Sequence, residues 1–177
     1  KPYNLYHFKQ GGGGVDISPM KDDGPLLIGL MVDPQRYFTL HHSDADVFVV
    51  ECSSFRLRFT TMFRCNASVW LNFAPDHLDW HPDLADYAQT KEQMWKFVTT
   101  SDVAVFPIGN TLIEGAATRS NARTVSFGLG EANYCVSNGN LTSSTGVLCS
   151  VDSLWRSMPH DITNSLAAAA LVVEAGL

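Results

Sequence analysis

The chain has 177 residues, a net charge of −6, 45% hydrophobic residues and 17% charged residues. That length suits one domain with enough mass for a packed core. The composition is ordinary for a soluble globular protein, and the acidic balance argues against a nucleic-acid-binding surface. No apolar run approaches the roughly 20 residues that a membrane span needs. The N-terminus lacks the basic-then-apolar pattern of a secretory signal, so a cytoplasmic location with no membrane partner is expected. Cys52, Cys65, Cys135 and Cys149 include no Cys-x-x-Cys pair; four reduced thiols fit that compartment better than a zinc knuckle.

Residues 1–25 are poorly patterned, and Gly11 to Gly14 form a glycine run. A phosphate-binding loop needs Gly-Lys-Ser/Thr after its glycines. Val15-Asp16-Ile17 does not supply it, so the run reads as a loop or linker. Residues 1–44 are therefore taken as an N-terminal segment with a Gly-rich linker, and 45–177 as one domain. From Asp46 the pattern predicts strands at 46–51 and 67–73, a helix at about 83–98 and a strand at 102–107. A short helix at about 111–118 follows, then a strand at 123–127, short strands near 133–137 and 146–151, and a last helix from about 160 to 175. Near-continuous apolar strands alternating with helices read as an α/β fold with a mostly parallel sheet flanked by helices. The Gly/Asn/Ser/Thr-rich stretch 128–153 reads as a small antiparallel meander at its edge. Pro159 before the last helix and Gly176 after it mark its two ends.

In open parallel sheets, ligands bind beyond the carboxyl ends of the strands. Glu51 ends the first apolar strand and His77 follows the second. If those strands are neighbours, a carboxylate and an imidazole converge, a donor set suited to Mg²⁺ or Mn²⁺ more than to structural zinc. A turn-capping glutamate and a loop histidine account for the same residues. Helical spacing puts Leu84, Tyr87, Ala88, Lys91, Met94, Trp95 and Val98 on one apolar face, so Lys91 points inward. Burial lowers an amine's pKa and makes the neutral form available, as a nucleophile or for addition of CO₂. The carbamate so formed acts as a long carboxylate that can ligate a metal; a lysine snorkelling past Tyr87 is the competing reading. Ser53 and Ser54 can donate to a substrate oxygen or simply start a turn or helix.

Glu51-Cys52-Ser53-Ser54-Phe55-Arg56-Leu57 resembles the Glu-x-Ser-Ser-Phe-Gln-Leu motif of the Mur ligase family, in its D-glutamate-adding branch. Leu71-Asn72-Phe73-Ala74-Pro75-Asp76-His77-Leu78-Asp79-Trp80-His81 is similar to the family's Leu-Asn strand end followed by Asp-His-x-Asp. Tyr87 and Lys91 match its Tyr-x-x-x-Lys, Val125-Ser126-Phe127-Gly128 stands in the expected place, and His160 to Ala168 resembles its late His/Asn helix start. The resemblance spans about residues 45–177, with five motifs in order, and implies the family's central ATPase domain, related to the P-loop NTPases.

It implies an ATP-dependent ligase that adds D-glutamate to UDP-N-acetylmuramoyl-L-alanine in peptidoglycan synthesis, and hence serves cell-wall biogenesis, cell shape and division, as a monomer. Glu51 and His77 would be magnesium ligands, and Lys91 a carbamylated lysine supporting a second metal. Ser53, with Ser54 and Arg56 nearby, would meet the UDP-sugar, and Asn164 with Asp161 would face the adenine of ATP. Arg56 stands where the family has Gln, Asp161 where it has Asn and Trp80 where it has Arg. The 177 residues contain no Gly-Lys-Ser/Thr phosphate loop. A central-domain fragment, inactive by itself, is therefore expected. A non-catalytic, ligase-like module that binds nucleotide or metal is the alternative, and a metal-dependent hydrolase a more distant one.

Overall fold

The computed structural model describes residues 26–29, 47–60 and 63–177. Strands β1 (Leu26–Gly29), β2 (Val47–Val49), β3 (Ala67–Val69), β4 (Val103–Pro107) and β5 (Arg123–Phe127) form one sheet in the order β2-β1-β3-β4-β5. Every neighbouring pair is parallel. The pattern reading missed β1, which inserts between β2 and β3. The strands that lead to Glu51 and to His77 are therefore not neighbours.

Helices α1 (Ser54–Phe59), α2 (Leu84–Glu92), α3 (Thr111–Arg119) and α4 (Pro159–Glu174) flank the sheet. Local chemistry sets their ends. The Asp83 carboxylate accepts from the Asp86 amide ahead of α2, and the Asn110 side chain accepts from the Ile113 amide ahead of α3, each satisfying an orphan donor of a first turn. Pro159 opens α4, where its missing N–H costs nothing. Gly176 follows α4 at φ 80°, the left-handed conformation that closes a helix. The predicted helix over 83–98 instead ends at Glu92 and tightens into a 3₁₀ turn over Gln93–Trp95.

Alternation along the strands splits the core into two layers. Ala67, Val103, Val105, Val125 and Phe127 pack against Leu166, Ala167, Ala170 and Leu171 of α4. On the other face, Ala104 and Trp70 pack with Leu57 of α1, Met94, Trp95 and Val98 after α2, and Ile113, Ala116 and Ala117 of α3. A meander of β6 (Cys135–Ser137), β7 (Asn140–Ser143) and β8 (Gly146–Ser150) is antiparallel. It has three strands rather than two, because Asn138 and Gly139, at φ 48° and 75°, make a two-residue hairpin turn. It joins the sheet edge through a bridge between Phe127 and Tyr134. Next to that bridge, a Cβ on Gly128 would stand 2.4 Å from Ile108 Cγ1, so the close approach of the Pro107–Ile108 turn needs a glycine there.

Candidate functional site

A cavity of about 430 Å³ opens beyond the carboxyl ends of β2 and β3. Glu51 and Cys52 enter it from the end of β2, Trp70 to Asn72 from the end of β3, Lys91 and Met94 from α2 and the turn after it, and Asn164 from α4. The site reads directly from the topology: parallel strands stop on one edge, and helices of both layers lean over that edge. The residues singled out from sequence divide here. Glu51, Lys91 and Asn164 share the cavity lining; His77, Ser54, Arg56 and Asp161 are not part of it.

Lys91 is half-buried, and burial holds its pKa below the usual lysine value, against the opposing pull of the Glu51 and Asp76 carboxylates. Its Nζ lies 5.8 Å from the centre of the Tyr87 ring. The neighbouring thiol shifts the other way: burial pushes Cys52 well up, so it stands as a neutral thiol. Lys91 thus reaches the cavity in a setting that weakens its ammonium form. The same helical face is less uniformly buried than its spacing suggests, since Leu84 at its start is exposed.

His77 sits apart from the cavity lining in a knot of rings. Its ring centroid is 4.8 Å from Phe55 and 6.0 Å from Tyr87. Its Nε2 is 3.4 Å from Asp76 Oδ2, and its amide donates to Asp76 Oδ1 at 2.8 Å. Its backbone has φ 53°, a left-handed conformation that non-glycine residues seldom adopt and that gathers at functional sites. The carbonyl of His77 then accepts the amides of Trp80 and His81, which turns the chain toward α2.

Ser53 and Ser54 part company at the start of α1. Ser53 is the N-cap residue, half-exposed, and makes no side-chain cap bond. Ser54 is buried, with Oγ 3.0 Å from His81 Nε2. Arg56 is half-buried on α1, near enough to Cys52 for its charge to favour the thiolate. Asn164 is exposed on the cavity side of α4, and one turn earlier Asp161 keeps a buried Oδ2 with no hydrogen-bond partner among the described residues. His81, Asp86 and Arg58 were not singled out from sequence. Their contacts are tertiary, and only the position of His81 at the end of the Asp76–His81 stretch hinted at it.

Among the described residues, no three His, Cys, Asp or Glu side chains gather as a metal cage. A magnesium ion carried by nucleotide phosphates needs only one or two protein donors beside water and phosphate oxygens, and the exposed carboxylate of Glu51 at the cavity edge suits that role. All four cysteines are free thiols, and among the described residues no helix is long and apolar enough to cross a membrane.

An open parallel α/β domain with its cavity at the carboxyl edge has the architecture in which ligands bind beyond the strand ends. Residues 32–172 match the Mur ligase middle domain, and the chain belongs to the Mur ligase family. The UDP-N-acetylmuramoylalanine–D-glutamate ligase of Frankia casuarinae is 35% identical over 140 residues, covering 75% of this chain and 29% of that protein. The ligase of the same name from Listeria monocytogenes is 27% identical over 165 residues, covering 91% of this chain and 36% of that protein. The chain thus spans about a third of the length of these relatives. The crystal structure of MurF from Acinetobacter baumannii shares the fold, with a TM-score of 0.53 at 16% identity, over 74% of this chain and 31% of that one.

Proposed function

We propose that this chain is the central domain of an ATP-dependent ligase that joins D-glutamate to UDP-N-acetylmuramoyl-L-alanine in cytoplasmic peptidoglycan synthesis. The observation that carries the reading is the shared cavity of Glu51, Lys91 and Asn164 at the carboxyl edge of the sheet. Three elements distant in sequence bring there the carboxylate, the amine of weakened basicity and the amide that the family resemblance assigns to metal, carbamate and adenine.

The reaction has two steps. The alanine carboxylate of the UDP-sugar takes the γ-phosphoryl group of ATP, giving an acyl phosphate and ADP. The amine of D-glutamate then attacks the acyl carbon, an amide forms, and phosphate and a proton leave. Such chemistry rests on positioning and on neutralising phosphate charge. Glu51 at the cavity edge would hold magnesium, which when bound offsets charge on the transferred phosphoryl group; His77, the second ligand that the family resemblance implies, lies outside the cavity lining and would have to approach it. Ser53, whose hydroxyl makes no cap bond to α1, would donate to the UDP-sugar. Asn164 would orient the nucleotide base from α4, with Asp161 behind it as an acceptor-only neighbour. Lys91, eased toward its neutral amine by burial, would take up CO₂ and release a proton, which replaces a cation beside Glu51 with a carboxylate-like anion.

The absence of a Gly-Lys-Ser/Thr loop from the 177 residues favours the second reading, a non-catalytic module that binds nucleotide or metal. Phosphate release with ATP, UDP-N-acetylmuramoyl-L-alanine and D-glutamate, measured on the protein that carries this chain as its middle domain, separates the two. Release that requires all three substrates is expected. Binding of ATP without dependence on the amino acid would leave the module.

A further inference from the structure

A second cavity, of about 520 Å³, opens between the end of α2 with its following 3₁₀ turn and the end of α3. None of its lining residues lines the cavity of Glu51 and Lys91. The two cavities share one stretch of chain: Met94 lines the first and its neighbour Trp95 the second. The volume falls within the range of small-molecule sites, about 300–1,000 Å³, and the proposed reaction makes no use of it.

Its charges come from three side chains. Arg119 donates to Glu92 through both arms of its fork, Nε to Oε1 at 3.0 Å and Nη2 to Oε2 at 2.9 Å. A Cβ on Gly115 would stand 3.2 Å from Arg119 Nη1, so the small residue lets the guanidinium lie close along α3. Lys96 stands four residues after Glu92, where the two would ordinarily pair across a helical turn. Both Glu92 oxygens are instead given to Arg119. Lys96 is without a carboxylate partner among the described residues, and its Nζ lies 5.2 Å from the centre of the Phe97 ring. The cavity therefore holds Glu92 as its anion and Lys96 and Arg119 as its cations. A carboxylate has more lone pairs, and a guanidinium more N–H donors, than this one pair consumes. The side-chain amides of Gln89, Gln93 and Asn121, also in the lining, make no hydrogen bond among the described residues.

We propose that this cavity is a binding site for a free acidic amino acid, separate from the cavity of Glu51 and Lys91. Such a molecule carries one ammonium and two carboxylates, the mirror of the charges in the lining. Its ammonium donates to Glu92, its α-carboxylate accepts from Arg119, and its side-chain carboxylate pairs with Lys96. Glu92 and Arg119, held side by side by their own ion pair, present minus beside plus, as an α-ammonium beside an α-carboxylate requires. The three amides supply donors for the remaining carboxylate oxygens. A simple anion such as phosphate, or a dicarboxylate without an amine, meets Glu92 as a like charge. The contacts are open to water, so the binding is weak, with a Kd of about 1 mM. The site involves none of the residues on which the ligase reading depends and stands or falls apart from it.

Titration of the ¹⁵N-labelled 177-residue chain near neutral pH and at constant ionic strength tests the proposal, with glutamate of each hand, glutamine and glutarate as probes. Glutamate of at least one hand should bind and shift the amides of residues 89–96 and 116–121. It should bind about threefold more tightly than glutarate, which lacks the ammonium, and than glutamine of the same hand, which lacks the second carboxylate. Lys96→Met should abolish the preference over glutamine and keep that over glutarate. Glu92→Gln should do the reverse. Both side chains reach solvent, and a thermal melt near the parent's shows that each variant is folded. No saturable shift with either hand overturns the site. So do shifts confined to Glu51, Asn72 and Asn164, which place the binding in the first cavity, and equal affinities for glutamate, glutamine and glutarate.

Discussion

Glu51 and Lys91 line the same cavity, one just past the end of a strand and the other on a helix. The carboxylate raises the basicity of the amine while burial lowers it, and burial is the larger influence. The net effect is a lysine whose charged form is disfavoured although an acid stands nearby. This balance has a measurable pH signature. The folded chain binds fewer protons than the unfolded chain between the lowered value of Lys91 and its ordinary 10.5. Stability therefore rises with pH through that window: the charge penalty is complete below it and gone above it. In bicarbonate-free buffer, Lys91→Met should be more stable than the parent near neutral pH, by an advantage that shrinks as pH climbs toward 10.5. Chemical denaturation at several pH values checks this, and an advantage that stays constant would contradict it.

A second prediction concerns the layer beneath the cavity. Trp95 Nε1 donates to Ser68 Oγ at 2.9 Å, and Ser68 in turn donates to the Val103 carbonyl. Ser68→Ala leaves a buried indole N–H without a partner, a loss of about 1–3 kcal/mol. Urea unfolding should show a lower midpoint with an unchanged slope.

At the amino edge of the sheet, Asp102 is fully buried and accepts from Arg64 Nε at 2.7 Å, Arg64 Nη2 at 3.0 Å and the Thr99 amide at 2.6 Å. Asp102→Ala removes the acceptor of these bonds from a buried site, while Arg64 keeps its bonds to Thr99 Oγ1 and Ser101 Oγ. The Thr99 amide loses its partner, and the variant should cost about 1–3 kcal/mol, read by thermal and chemical denaturation.

Gly128 tests the motif glycine directly. A methyl there meets Ile108 Cγ1 at 2.4 Å and Cδ1 at 2.8 Å. Gly128→Ala should destabilise by about 1–3 kcal/mol through overpacking. The double variant Gly128→Ala with Ile108→Ala should recover part of the loss, because the clash partner is then gone.

The sequence conveyed most of the fold where apolar runs were continuous. Strands β4 and β5 and helix α4 pack through Val103, Val105, Val125, Phe127 and Leu166, the residues whose periodicity announced them. It conveyed less where an element is short or polar. β1 offers only Leu26 to Gly29, α1 is six residues that begin at a Ser-Ser turn signal, and β7 is Asn-Leu-Thr-Ser. The site was legible to the same extent. Glu51 and Lys91 follow from a strand end and a helix face. The hydrogen bonds that join Ser54, His81 and Asp86 depend on how α1 and α2 pack, which no local pattern encodes. The setting of His77 depends on the Phe55 and Tyr87 rings that surround it.

A further expectation follows from what the 177 residues contain. Without a phosphate loop's lysine and amides, the chain alone should turn ATP over far more slowly than a typical enzyme median of about 10 s⁻¹. Phosphate release by the purified chain with both substrates checks this, and turnover near that median would contradict it.

The central claim is that Lys91 serves as a carbamate in a ligase centre. It is tested most directly by ligase rate in the protein that carries this chain as its middle domain, measured for Lys91→Arg and Lys91→Ala with and without added acetate, beside a thermal melt. A guanidinium stays protonated and cannot take up CO₂, so Lys91→Arg should lose most activity while melting near the parent. Lys91→Ala should recover part of its rate in acetate, which restores an oxygen pair in the vacated space. Full activity in Lys91→Arg would contradict the account and return Lys91 to the role of a half-buried lysine lying over Tyr87.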